Sequence, residues 1–206
     1  MSEQIGRRER KKAQTRKALA DAALELFLDR GYDQVGVREV ADAADVSVTT
    51  LFKYFPSKES LVFDLDEDVE AALVAAVRDR APGQTVVRAL REHVLHRATA
   101  VAAYPHTQAF TRMVEDTPAL RDYASHMWLR HETALTKAIA DEVGASEDDV
   151  ACAALTRFAL EAVTLAHRHP DPKQAVDTIF TLLEGGWVAI HPDAGKRTRG
   201  DAVVGG

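Results

Sequence analysis

Leu19, Ala22, Ala23, Leu26 and Phe27 recur at i, i+3, i+4, i+7 and i+8, the single apolar stripe of an amphipathic helix. Gly31 stops that helix, because glycine accepts the left-handed conformation just past a helix end without steric cost. After a short connection over 32–35, Gly36 is placed to cap a second, short helix with inward positions Val37, Val40, Ala41 and Ala44. Asp45 lies in the turn that follows, with Val46 packed below it. Ser47, a strong N-cap, opens a third helix that Pro56 ends. Its pattern buries Leu51 and Phe55 and leaves Val48, Thr49, Thr50, Phe52, Lys53 and Tyr54 facing outward.

Ser57 caps a fourth helix, expected to run to about Arg80, and Pro82-Gly83 is the sharpest break in the chain. Further helices are expected over about 85–103, 106–116, 118–143, 147–168 and 172–190. Tyr104-Pro105, Gly144 and His191-Pro192 punctuate them. Thr117-Pro118 and Asp171-Pro172 read as caps followed by proline in the first turn, and Ser146 with Asp149 has capping-box spacing. Strand alternation and internal repeats are absent from the pattern. The expected fold is all-α, about nine helices, with 1–62 and 63–192 as two domains and 193–206 as a disordered tail.

Residues 37–58 have the form of a helix-turn-helix, two short helices on a tight turn, the second presenting a polar face. Arg7, Arg8, Arg10, Lys11 and Lys12 form a basic arm upstream. The chemistry of DNA reading requires donors and methyls at base edges and cations on phosphates. Ser47, Thr49 and Thr50 supply hydroxyls, Phe52 apolar contact, Lys53, Tyr54 and Lys58 phosphate partners, and Arg38 a reach toward a guanine edge.

Charge sharpens this. The net charge is -6 over 206 residues, which argues against a protein that coats nucleic acid indiscriminately. Residues 1–17 nevertheless carry seven basic side chains against two acidic, while residues 63–206 carry 15 against 22. An acidic body with a basic tip suits a protein that touches DNA at one end. Hydrophobic content of 46% is ordinary for a globular protein. No apolar run approaches the ~20 residues that span a bilayer. The charged N-terminus lacks a signal h-region, and the lone Cys152 suits a reducing compartment. A cytoplasmic protein is the expectation.

The spacing of Ala22-Ala23, Leu26-Phe27, Gly31-Tyr32, Val40-Ala41, Val46-Ser47, Thr50-Leu51-Phe52, Tyr54-Phe55 and Ser57-Lys58-Glu59 with Leu61 resembles the N-terminal domain of the TetR family of transcriptional regulators. The resemblance covers residues 12–61 without a gap. It implies that Arg38, Val48, Thr49, Thr50 and Phe52 face the major groove and that Tyr54 and Lys58 grip the backbone. Three positions depart from the family pattern. Gly36 lacks the Thr hydroxyl that often caps the second helix, Asp45 replaces a frequent turn Gly, and Val48 is apolar where polar readers are common.

The resemblance further implies that helices 4 to 8 enclose a small-molecule effector and that helices 8 and 9 pair with a second copy. The protein would then be a homodimeric repressor released from a palindromic operator by its effector. Helix 8 is apolar over more than one face, as such pairing needs. Phe110, Met113, Trp128, His131, Phe158 and Glu161 mix apolar walls with a few polar groups and are the candidate pocket lining.

Catalytic and metal signatures are wanting: no phosphate loop, nucleophile elbow or HExxH occurs. Cys152 in ACAAL reads as core. His93 and His96 share a helix face but lack further ligand types nearby, and the acidic run over 64–70 lacks the loop glycine of a calcium site. No cofactor and no metal are expected. The rival readings are a helical enzyme and a protein-interaction module with a vestigial reading head.

Overall fold

The computed structural model describes residues 2–190; the expected tail over 193–206 lies outside the described residues. Among them are nine α-helices and two 3-10 turns, and no strand. The helices are α1 (Ser2–Arg30), α2 (Val37–Ala43), α3 (Val48–Tyr54), α4 (Asp66–Arg78), α5 (Val86–Ala103), α6 (Thr107–Asp116), α7 (Pro118–Val143), α8 (Val150–His167) and α9 (Pro172–Ile190). No helix among the described residues is long and apolar enough to cross a membrane.

The basic arm forms the first turns of α1, because Arg, Glu, Lys and Gln are strong helix formers and no proline intervenes. Two local expectations are corrected. The fourth helix does not start at Ser57. Ser57 and Ser60 bond each other's backbone instead, the Ser60 hydroxyl donating to the Ser57 carbonyl at 2.7 Å and Ser57 Oγ accepting the Ser60 N–H at 3.3 Å. This local bonding competes with a regular helix, so a 3-10 turn at Glu59–Leu61 precedes α4. Asp149, not Ser146, caps α8, its carboxylate accepting the Cys152 N–H at 2.8 Å, while Ser146 bonds Asp148.

The described residues form two compact units, 2–66 with 108–125, and 67–107 with 126–190. The first unit is built around Leu19, Ala23 and Phe27 of α1, Val40 and Ala41 of α2, and Leu51 and Phe55 at α3, with Leu61 and Leu120. The turn between α2 and α3 is a Schellman closure. The Val46 N–H reaches the Ala41 carbonyl at 2.9 Å and the Asp45 N–H the Asp42 carbonyl at 3.1 Å. Asp45 sits at φ +53°, the only non-glycine among the described residues with positive φ. Aspartate tolerates that conformation imperfectly. Asp45→Gly is therefore expected to stabilise this unit by about 1 kcal/mol, measured by denaturant unfolding. Unchanged stability would show that the turn carries no strain.

In the second unit α5 packs against α8 and α9, which also pack on each other. Its core joins Leu73 and Val77 of α4, Val86, Leu90, Val94 and Ala98 of α5, Leu135 and Ile139 of α7, Leu155, Ala159 and Ala162 of α8, and Val176 and Phe180 of α9. Arg80 is buried there with its charge met: the guanidinium pairs with Glu142 and donates to the carbonyls of Val77 at 2.7 Å and Gln84 at 3.1 Å. Cys152 is fully buried. Burial first, and Asp149 second, push its thiol up to about 12, so it stays protonated and inert.

Candidate nucleic-acid interface

The reading helix α3 has only seven residues, too few to be stable alone, so its neighbours hold it. Its N-terminus is capped by Ser47, whose Oγ accepts the Thr50 N–H at 3.1 Å and shares a 2.9 Å hydrogen bond with the Thr50 hydroxyl. Leu51 and Phe55 anchor its inner side, at 0% and 1% exposed. Arg16 secures its C-terminus, donating to the Tyr54 carbonyl at 3.2 Å and the Asp64 carbonyl at 2.6 Å, with its guanidinium 4.7 Å from the centre of the Phe55 ring. Arg16 was not among the sequence candidates. Its signal is its place, one turn before Leu19 on the inward stripe of α1.

Gly36 does start α2, as its cap. The hydroxyl missing there is replaced in part by Glu39, whose carboxylate accepts the Gly36 N–H at 2.8 Å and pairs with Arg30 at 2.7 Å. The Gly36 N–H, then Arg30, hold that carboxyl below its usual range.

Of the candidate DNA contacts, Arg38, Ser47, Thr49, Phe52 and Lys53 are exposed. Val48 and Tyr54 are half-buried and lean on the core of the unit, and Thr50 is half-buried with its hydroxyl engaged by Ser47. Lys58 is seated differently from the expectation. Its ammonium turns inward, donating to the Tyr32 carbonyl at 2.5 Å and standing 4.0 Å from the Tyr32 ring centre and 5.4 Å from that of Phe27. Burial lowers its pKa. The Tyr32 hydroxyl donates to Glu59 at 2.9 Å, and burial first, then Glu59, raise its pKa. The lysine thus serves as a fastening between the residues after α1 and the turn before α4, where two ring faces and a carbonyl offset part of the cost of burying its charge.

The candidate pocket residues divide between the two units. Phe110 and Met113 belong to the first unit, both half-buried, with Phe110 edge-on to Phe63 at 6.2 Å. Met113 borders an open groove of about 400 Å³ with Phe27, Leu28 and Tyr32. Trp128, His131, Phe158 and Glu161 belong to the second unit. His131 is fully buried beneath the edge-on ring of Trp128 at 5.4 Å. Phe158 and Glu161 are exposed, off the buried stripe Cys152, Leu155, Thr156, Ala159, Ala162 and Ala166 that α8 turns inward. Among the described residues no three metal-binding side chains converge.

A family model described as "Bacterial regulatory proteins, tetR family" matches residues 19–65. The chain is 33% identical over 152 residues to the HTH-type transcriptional regulator TcmR of Streptomyces glaucescens, covering 70% of this chain and 67% of that protein. It is 51% identical over 47 residues to the HTH-type transcriptional repressor KstR of Rhodococcus jostii, covering 23% of this chain and 22% of that one. The fold matches that of a TetR-family regulator from Streptomyces coelicolor with a TM-score of 0.61 and 20% identity, over 88% of this chain and 96% of the other. The capped reading helix, the family's pattern across it and a relative matched over two thirds of its length place the chain in the TetR family of DNA-binding transcriptional regulators.

Proposed function

We propose that the protein is a homodimeric repressor that reads an inverted-repeat operator with α3 and is released by a small-molecule effector. One observation carries the DNA-reading part: Thr49, Phe52 and Lys53 stand open on a helix pinned at its cap, its back and its C-terminus. In this reading Thr49 and Phe52 face bases, Arg38 reaches a base edge, and Lys53 meets phosphate. Ser47, Val48, Thr50 and Tyr54 border the contact and fix its register. Lys58 supports the scaffold and meets phosphate only if its internal contacts open. Repression draws on the repressor KstR. A role as regulator rather than enzyme draws on the relatives being transcriptional regulators, and DNA as partner sets the place of action in the cytoplasm.

Homodimerisation is supported by α8 and α9. Val150, Phe158 and Leu165 on α8 and Leu182 on α9 are large apolar side chains left exposed within their unit, more than an inert surface carries. Gly185 and Gly186 of α9 have open space where a side chain would stand, which permits close approach of another helix. The same surface meeting itself across a two-fold axis gives the symmetry a palindrome needs.

Selection from random DNA with the full chain is expected to return an inverted repeat with half-site centres about 34–36 Å apart, or a multiple. On that operator Arg38→Ala is expected to cost about 1–3 kcal/mol and to relax preference at one position per half-site. Lys53→Ala is expected to weaken all sequences alike and lower the salt slope by about one. Selection that enriches no repeat would overturn the reading, and matching specificity profiles for the two variants would overturn the contact assignment.

A further inference from the structure

We propose that His93 and Arg97 of α5 bind the acid group of a small organic carboxylate carried on an apolar body. The proposal rests on the effector-responsive reading above and names the chemistry of the effector.

The two side chains are one helical turn apart on α5, beside the positions Leu90, Val94 and Ala98 that build the core of the second unit. Both are half-buried. The Nε2 of His93 is out of contact with solvent and has no hydrogen-bond partner among the described residues. Arg97 has neither an ion pair nor a hydrogen bond among them. Five other arginines of this unit set the contrast. Arg80 is met by Glu142 and two carbonyls, and Arg78, Arg88, Arg91 and Arg157 each face a carboxylate. A guanidinium drawn partly out of water without a counter-charge is costly. An unpartnered imidazole nitrogen beside it adds a second unmet polar group.

The charge balance selects the ligand. Desolvation first, then Arg97 and His96, lower the pKa of His93 to about 4, so the imidazole is neutral at physiological pH. Desolvation alone lowers that of Arg97, and no carboxylate influences either group. The pair therefore carries one positive charge. A singly charged carboxylate neutralises it and fits the planar fork of the guanidinium, with the imidazole as a further hydrogen-bonding group. A phosphate dianion would leave a net negative charge against an apolar surround. Leu90, Val94 and Ala98 close the core behind the pair and half-buried Val101 lies one turn beyond Arg97, an apolar setting that suits a hydrocarbon body rather than a polar one.

The test uses the full chain, titrated with dodecanoate and benzoate, their neutral counterparts dodecanol and benzyl alcohol, and inorganic phosphate. Calorimetry and thermal melting are the readouts. At least one carboxylate is expected to bind about tenfold or more tighter than its alcohol, and Arg97→Met to remove that preference while leaving alcohol binding unchanged. Ligand-free Arg97→Met is expected to melt higher than the parent, as replacing an unmet charge should, whereas a structural arginine would lower the melting temperature. His93→Leu is expected to weaken the carboxylate by a smaller factor. No carboxylate preference, tightest binding by phosphate, or an Arg97→Met protein that melts lower and binds the carboxylate as before would each overturn the proposal. Affinity for the selected operator, measured alongside, separates the two readings. Carboxylate binding through Arg97 without any change in operator affinity supports the site and overturns effector release. Release by an alcohol with no carboxylate preference overturns the site and leaves effector release standing.

Discussion

Phe158→Asp is expected to yield a folded monomer that has lost specific operator binding. The side chain is 54% exposed and takes no part in the buried core of its unit, so the substitution leaves the fold intact. On the proposed interface it sets a carboxylate, twice by symmetry, where Leu165 and its counterparts meet, and an unpaired buried charge is prohibitive there. A monomer engages one half-site, and affinity is expected to fall by roughly a thousandfold, toward that for unrelated sequence. Sedimentation equilibrium and competition binding measure both effects. A dimer persisting at full affinity would place the interface on another face.

The second large effect is expected from Leu51→Ala. Leu51 is fully buried at the centre of the first unit's core, and truncation there costs about 2–5 kcal/mol. Total stability is only about 5–15 kcal/mol, and a helix as short as α3 draws nearly all its order from such packing. Amide exchange should speed up across α2 and α3 while α5, α8 and α9 stay protected, and DNA affinity should fall with the order of α3. Parent-like exchange and affinity would show that Ser47 and Arg16 suffice to hold the helix.

The stripe of α1, the stop at Gly31, the Ser47 cap and the buried pair Leu51 and Phe55 were legible in the sequence, because each rests on a rule linking residues within a few positions. The turn at Asp45 was legible too, through the resemblance, which puts a frequent glycine at that position. The fold class followed from helical periodicity alone. What escaped was set at long range. Arg16 and Lys58 look like solvated charges until the contacts to Tyr54, Asp64 and Tyr32, 26 to 48 residues away, show where their charges go. Ser57 followed the N-cap rule, but Ser60 offered a competing bond that no periodicity records. Mixed polarity cannot say which side of α8 a residue takes, and Phe158 and Glu161 lie off its buried stripe.

The helical state of residues 7–12 changes what their charges can accomplish. A flexible tail of six residues can stretch across roughly 20 Å, whereas six residues in a helix advance only about 9 Å. The cations become teeth on a short rod, arrayed at fixed spacing around its circumference. A helix about 10–12 Å across cannot enter a minor groove about 6 Å wide or follow a curving strand; it meets one brief stretch of phosphates or none. On the proposed reading its contribution is a fixed electrostatic increment that salt titrates away, and the choice of sequence is left to α2 and α3.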